Sequence, residues 1–336
     1  MSLSTEIDIR HQKHKEDSTD IKVIDMHLHF VDFMQNTDGY GKLLESMQCG
    51  NISKNIVFGL PVKKKWEFFE PREPHYYLGD NSRCTYYNAT DEAVASGYLE
   101  LDKKQKKKIA PTLCGFDPTD MACIDYLEMM FEKYSFWRGI GELLLRHDDL
   151  TNLTIGEIAR ANHPALNKVY EFCATKKIPV CLHQNSTSVA SSLSSSYKND
   201  YEYLHEITES LERFQDTTFV WAHCGVSRRV EHPNYHEMVN GLLNMYHNLH
   251  VDLSWVVYDT TVCEPEILAR EGKYQPKPEW MDLIEEHQDR IMIGSDLCGH
   301  FDSHGKTMAR YNSLLKRLST KAAKKIASGN AEKMYF

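Results

Sequence analysis

The sequence predicts an α/β fold, a parallel (β/α)8 barrel of the TIM type with an insertion after its second strand. Eight short apolar, β-branched runs recur along the chain, and helical segments separate seven of them, the alternation expected of a parallel barrel. Several of these runs end in a histidine or an acid. In such a barrel the carboxyl ends of the strands converge on one face, where active sites are built. The chain has 336 residues, 41% hydrophobic and 26% charged, which suits a soluble chain with a sizeable core and fits one large barrel as well as two average domains.

Residues 1–20 are polar, have little to bury and read as a flexible arm before a single barrel domain over 21–336. Ile21 to Phe30, IKVIDMHLHF, is the first strand. Strand side chains alternate faces, so Asp25, His27 and His29 share one face and two imidazoles leave the strand side by side. A strand carrying Val23, Ile24, Met26 and Leu28 has no packing reason for them, whereas neutral imidazole is a common ligand of divalent metals. Hydrogen-bonded core or surface histidines are the alternative. Gly39 and Gly41 before Leu43, Leu44 and Met47 mark a loop and then a short helix, and Asn55 to Leu60 is the second strand, ended by Pro61. The insertion, Val62 to Lys108, is rich in aromatics and charge and reads equally as a lid or as a docked surface extension. The lysines at 103, 104, 106, 107 and 108 read as a solvated helix end, where cations complement the dipole.

Ile109 to Phe116 is the third strand, followed by a turn at Asp117-Pro118 and a helix from Ala122 to Tyr134. Phe136 to Leu145 is the fourth. Its alternation puts Ile140, Glu142, Leu144 and Arg146 on one face, and an acid among apolar residues needs an arginine or a metal. A helix over Pro164 to Lys177 leads to the fifth strand, Ile178 to His183; the serine-rich run Ser186 to Ser196 is a loop with solvated hydroxyls. Helix Tyr201 to Phe214 precedes the sixth strand, Thr218 to His223, and helix Tyr235 to Tyr246 precedes the seventh, Leu249 to Trp255. A helix around Trp280 to Glu286 leads to the eighth, Arg290 to Asp296. Helices Tyr311 to Leu318 and Lys321 to Ala327 close the chain, with Gly329-Asn330 as a C-cap.

The formal net charge of -9 argues against a nucleic-acid surface, which needs clustered Lys and Arg. No apolar run of about 20 residues and no signal-peptide pattern is present, so a cytoplasmic protein without a membrane partner is expected. The nine cysteines form no Cys-x-x-Cys pair and read as reduced. A small-molecule substrate is the expected partner, and a homo-oligomer is compatible with the chain.

His27, His29, Glu142, His183, His223 and Asp296 thus stand at strand ends, and six such residues at one rim are hard to attribute to packing. Left unpaired when buried they would cost several kcal/mol, and a divalent cation supplies the shared partner. This order, His-x-His on strand one, His on strands five and six and Asp on strand eight, resembles the amidohydrolase superfamily. The phrases IDMHLHF, VCLHQN, FVWAHCG, IMIGSDL and GNAEKMYF resemble its amidohydrolase-related branch, called amidohydrolase 2. The resemblance covers Val23 to Phe336 and is poor over the insertion.

The resemblance implies that His27, His29 and Asp296 hold one metal and that His183 and His223 hold or flank a second. Binuclear members bridge the ions with a carboxylated lysine or a glutamate; no lysine stands there, so Glu142 is the available bridge, with an ion pair to Arg138 or Arg146 as its alternative. Zinc is the first expectation and manganese the second, as one ion or two. Either lowers the pKa of bound water to roughly 7 and polarises a carbonyl. Asp296 would take and pass on the proton, and His223 or His183 would stabilise the oxyanion. Arg146 and Arg228, just beyond strands four and six, are candidates to hold a substrate carboxylate. The implied activity is hydrolysis of a small carboxylated amide, ester or lactone. The alternatives are a non-oxidative decarboxylase or other lyase on the same barrel, and a catalytically inactive ligand-binding barrel.

Overall fold

The structure is a computed structural model and describes residues 21–61, 63–64, 84–85, 87–147, 157–188, 201–227, 230, 234–264 and 274–336. The N-terminal arm, most of residues 62–86 and Arg228 lie outside the described residues.

Among the described residues eight parallel strands carry the fold: β1 (Val23–His29), β2 (Ile52–Phe58), β3 (Ile109–Pro111), β4 (Ile140–Leu144), β5 (Val180–His183), β6 (Phe219–Trp221), β7 (Leu249–Asp252) and β8 (Ile291–Met292). β1, β2 and β3 pair in one sheet and β4 to β8 in another, each strand beside its sequence neighbour. Backbone hydrogen bonds cross both seams. At the first, Leu113 donates to Gly139 and Gly141 donates to Leu113, at 3.1 and 2.8 Å; at the second, Met26 donates to Ile293 at 3.1 Å. Leu297–Cys298, continuing the eighth strand, pairs with β1 through Leu28 and His29. The result is the (β/α)8 barrel.

A helix follows each of the first seven strands: α1 (Gly39–Cys49), α2 (Tyr87–Glu100), α3 (Cys123–Lys133), α4 (Leu166–Lys176), α5 (Leu204–Arg213), α6 (Tyr235–Met245) and α7 (Pro278–Glu286). Each turns an apolar stripe inward, as with Leu166, Val169, Tyr170 and Cys173 of α4, spaced to share one helical face. α2 is therefore the ordinary crossover from β2 to β3. It occupies part of the expected insertion, and before it come Lys63–Lys64 and Cys84–Thr85, paired antiparallel.

The lysine run is the expected solvated helix end, and one terminal expectation needs correction. The lysine run sits on a single turn, Lys103–Lys106, that starts at Asp102, whose carboxylate accepts the N–H groups of Lys104 and Gln105. Lys103, Lys104 and Lys106 lie in its last turn, and Lys106 donates to the Leu99 carbonyl of α2 at 3.0 Å. Gly329-Asn330 ends no helix: both keep helical backbone, and a further helix runs from Asn330 to Tyr335. The Asn330 amide instead donates to the Gln288 and Ile291 carbonyls, both at 2.8 Å, anchoring that helix beneath β8.

The strands are shorter than the sequence suggests because their carboxyl ends turn. His223, Trp255 and Asp296, just past β6, β7 and β8, adopt left-handed backbone with φ of 54°, 55° and 58°. Such conformations cost on the order of 1 kcal/mol or more in a side-chain-bearing residue and cluster at functional sites. Register irregularities fall between Asp25 and Leu28 of β1 and between Ile140 and Leu143 of β4, the places that carry His27 and Glu142. Bulges of this kind re-aim a side chain. Glycines permit the close approach: a Cβ on Gly294 would lie 2.6 Å from that of His27, and one on Gly141, at φ 110°, would lie 2.3 Å from the Cys181 carbonyl oxygen.

Candidate metal centre

Glu142, 1% exposed on β4, is the hub of the carboxyl-end face. Its Oε1 lies 3.0 Å from His183 Nδ1, 3.2 Å from His223 Nε2 and 3.5 Å from His27 Nε2, while its Oε2 lies 3.2 Å from His29 Nε2. Asp296 Oδ1 lies 3.4 Å from His27 Nε2 and 3.3 Å from His29 Nε2. The cluster thus has two lobes sharing one carboxylate: His27 and His29 on β1 with Asp296 just past β8, and His183 on β5 with His223 just past β6. Within each lobe, Glu142 included, the ligand atoms lie within 4.8 Å of one another. All are buried except Asp296, whose side chain is 13% exposed and is the carboxylate that solvent reaches.

The family model described as Amidohydrolase (Amidohydro_2) matches residues 151–336, which include β5 to β8 and their histidines and aspartate. The chain belongs to the amidohydrolase family. Among solved structures this chain is similar to an uncharacterized TIM-barrel protein from Bordetella bronchiseptica, at 16% identity and TM-score 0.54, covering 93% of this chain and 97% of that one. It is also similar to a dihydroorotase from Campylobacter jejuni, at 15% identity and TM-score 0.52, covering 94% and 83%. A 5-carboxyvanillate decarboxylase from Sphingomonas paucimobilis is similar at 10% identity and TM-score 0.50, covering 94% and 99%. At these identities the likeness is one of fold. No curated protein sequence matches the chain.

The cluster fits a divalent cation on its own chemistry. His27 Nε2 is buried and, among the described residues, has no hydrogen-bond partner, which would cost about 1–3 kcal/mol if nothing met it. The outer nitrogens fix the tautomers, since a carboxylate or carbonyl can only accept. His27 Nδ1–H donates to Asp252 Oδ2 at 3.2 Å, and His29 Nδ1–H donates to the Gly59 carbonyl at 2.7 Å. His223 Nδ1 lies 2.8 Å from Ser254 Oγ, and that hydroxyl donates to Asp252 Oδ1, so it accepts from the imidazole. In their neutral form these three imidazoles aim an Nε2 lone pair inward, and outward Nδ1–H bonds of this kind orient metal-ligating histidines.

Electrostatics point the same way. Burial pulls His29 down, but Asp296 and Glu142 outweigh it and push it up to about 8. His223 is pushed up to about 9 against the same burial, by Asp252 and Glu142. His27 is raised well above its ordinary value, its desolvation outweighed by Glu142 and Asp252. Burial favours neutral Glu142 and Asp296, yet the imidazoles hold both below the usual carboxylate range. A site that draws protons onto its histidines while keeping its acids ionised has excess negative charge for a cation to offset.

The structure thus brings together His27, His29, Glu142, His183, His223 and Asp296. Glu142 faces imidazoles; Arg138 is exposed and Arg146 turns elsewhere, so neither forms the alternative ion pair. Arg146 donates from Nε and Nη2 to Glu206, at 3.0 and 2.6 Å, and stacks 4.1 Å over Tyr203. That pair occupies the Nε–Nη2 edge of the guanidinium and leaves its Nη1–Nη2 edge. Arg228 lies outside the described residues. Sequence reasoning missed Asp252, Ser254, His147 and Trp255. His147 stacks on His183 with ring centroids 4.4 Å apart, and Trp255 lies 5.1 Å from His223, so aromatic rings wall the second lobe. The missed signal was an aspartate inside the apolar run of strand seven, the same kind of oddity noted on strands four and eight.

Proposed function

We propose that this amidohydrolase is a metal-dependent hydrolase acting on a small carboxylated amide, ester or lactone. The observation that carries the proposal is the position of Glu142, one oxygen toward His183 and His223 and the other toward His29, as a carboxylate shared by two ion sites would be. His27, His29 and Asp296 would hold one ion and His183 and His223 a second, zinc in the first place and manganese in the second. The group supplies an acidified water at neutral pH and polarisation of a carbonyl oxygen. The chain supplies the rest. Asp296 is the reachable carboxylate, placed to take a proton from the attacking water and return it to the leaving group. His223, its Nδ1–H held by Ser254, would keep Nε2 turned toward the centre as a ligand of the second ion, the role its tautomer leaves it. Arg146, through Nη1, and Arg228 are the proposed contacts for the substrate carboxylate.

A panel of lactones, amides, esters and aromatic acids, assayed in ¹⁸O-water with the zinc-loaded protein, tests this reading. Incorporation of one ¹⁸O into product supports it. Carbon dioxide release without ¹⁸O incorporation replaces it with a non-oxidative decarboxylase, and tight metal binding with no turnover across the panel replaces it with a ligand-binding barrel.

A further inference from the structure

Asp252, at the carboxyl end of β7, is fully buried and touches both lobes without facing their common centre. Its oxygens do different work. Oδ2 accepts from His27 Nδ1–H at 3.2 Å. Oδ1 accepts three donors: the Ser254 amide at 2.9 Å, the Ser254 hydroxyl, and the His223 amide at 3.2 Å. Ser254 in turn accepts from His223 Nδ1–H. One carboxylate therefore sets the ring of His27 directly, the ring of His223 through a hydroxyl, and the left-handed backbone that presents His223 through its amide.

We infer that Asp252 is a positioning residue that fixes the Nδ1–H tautomers of His27 and His223, so that one ligand of each ion is oriented by a single buried group. Asp252, His27 and His223 also lie close enough to form a ligand set of their own, which would make Asp252 a direct ligand. The bonding pattern argues against that: Oδ1 is saturated by three donors, and Oδ2 faces a nitrogen that carries a proton. Positioning partners of this type are worth about 10–100-fold in metal affinity.

Asp252→Asn separates the two roles, because an amide has one acceptor and one donor end. Three donors compete for the acceptor, so the amide oxygen takes the Oδ1 place and the NH2 faces His27. Donating to Nδ1, the NH2 forces His27 into the Nε2–H tautomer and blocks the lone pair aimed at the ion. The inference rests on the metal-centre reading, and the experiment uses zinc as its probe, with chelator competition for affinity and long-range ¹H–¹⁵N spectra of the histidine rings.

In the native protein His27 should show a protonated Nδ1 and a zinc-bound Nε2. In Asp252→Asn that proton should move to Nε2, with zinc affinity falling about 10–100-fold. Unchanged affinity and tautomer overturn the inference alone; a native protein that binds no zinc overturns the reading beneath it. Loss of one equivalent of zinc with the His27 Nδ1–H signal intact makes Asp252 a ligand instead. If the variant fails to fold, Ser254→Ala decides. It removes the acceptor of His223 Nδ1–H and one of the three donors to Asp252 Oδ1 but leaves the Oδ2 bond to His27, so His223 should lose its fixed tautomer while His27 keeps its own, and unchanged His223 signals overturn the inference.

Discussion

The two lobes of the cluster share Glu142 and differ in how they are held. In the β1–β8 lobe every ligand is tied from behind: His27 by Asp252, His29 by the Gly59 carbonyl, and Asp296 by its own backbone, whose amide donates to the His27 carbonyl at 2.8 Å. Beneath it Asp25 accepts from the Ser295 amide and hydroxyl at 2.8 and 2.6 Å and from His304 Nε2 at 2.8 Å, locking the first strand to the eighth. In the β5–β6 lobe His223 has Ser254, while His183 turns its Nδ1 inward to Glu142 and packs between His147 and Trp255 rings. One lobe is built by hydrogen bonds and the other partly by stacking. Since directional bonds orient a ligand better than ring contacts, the first lobe should bind its ion more tightly.

Asp296→Asn should break the reaction most. With the scaffold bonds of its backbone retained, turnover on any substrate found should fall about 10²–10⁴-fold while the melting temperature of the zinc-loaded protein stays near native. Near-native activity would remove Asp296 from proton transfer. Chelation should come next. A cation at a thousandfold excess over its dissociation constant adds about 4 kcal/mol of stability, so dialysis against a chelator should lower the melting temperature and zinc should restore it. An unchanged melting curve would deny a ligand-filled centre.

The lobes themselves are compared by His29→Gln and His183→Gln. The first should weaken the tighter zinc site and the second the looser one, with a gap of about 10-fold or more between the two native affinities by chelator competition. Equal affinities would dissolve the contrast. The smallest effect lies in the scaffold, at His250 of β7, which burial and the nearby Arg290 hold down to about 4 and whose Nδ1 has no partner. A histidine neutral when folded and protonated when unfolded binds fewer protons in the native state, so its contribution is lost as pH falls from about 6.5 toward 4. His250→Gln should therefore flatten that acid loss by about 1–2 kcal/mol in denaturant melts at pH 4.5 against pH 7.5. Identical pH profiles would refute the shift.

Much of this was legible in the sequence. Two adjacent histidines on an apolar strand and a lone glutamate on another are conspicuous because hydrophobic runs make polar residues stand out. Strand ends were less legible: β6 stops at Trp221 and β8 at Met292, because His223 and Asp296 leave the ladder in left-handed conformations that neither residue type announces. The supporting bonds were illegible for another reason. His304 meets Asp25 across 279 positions and Asp252 meets His27 across 225, and a contact made only by closure of a barrel leaves no local trace. Arg146 shows the converse, since position beside a strand end invites a substrate role and only the structure reveals Glu206 beside it.

The shared carboxylate is the centre of the account, and metal content per chain tests it most directly. Native protein loaded with zinc and freed of loosely held ions should carry about two equivalents by elemental analysis, and Glu142→Gln should carry about one, kept by the β1–β8 lobe. One equivalent in the native protein, unchanged by the substitution, would contradict it and leave Glu142 a partner of the histidines alone.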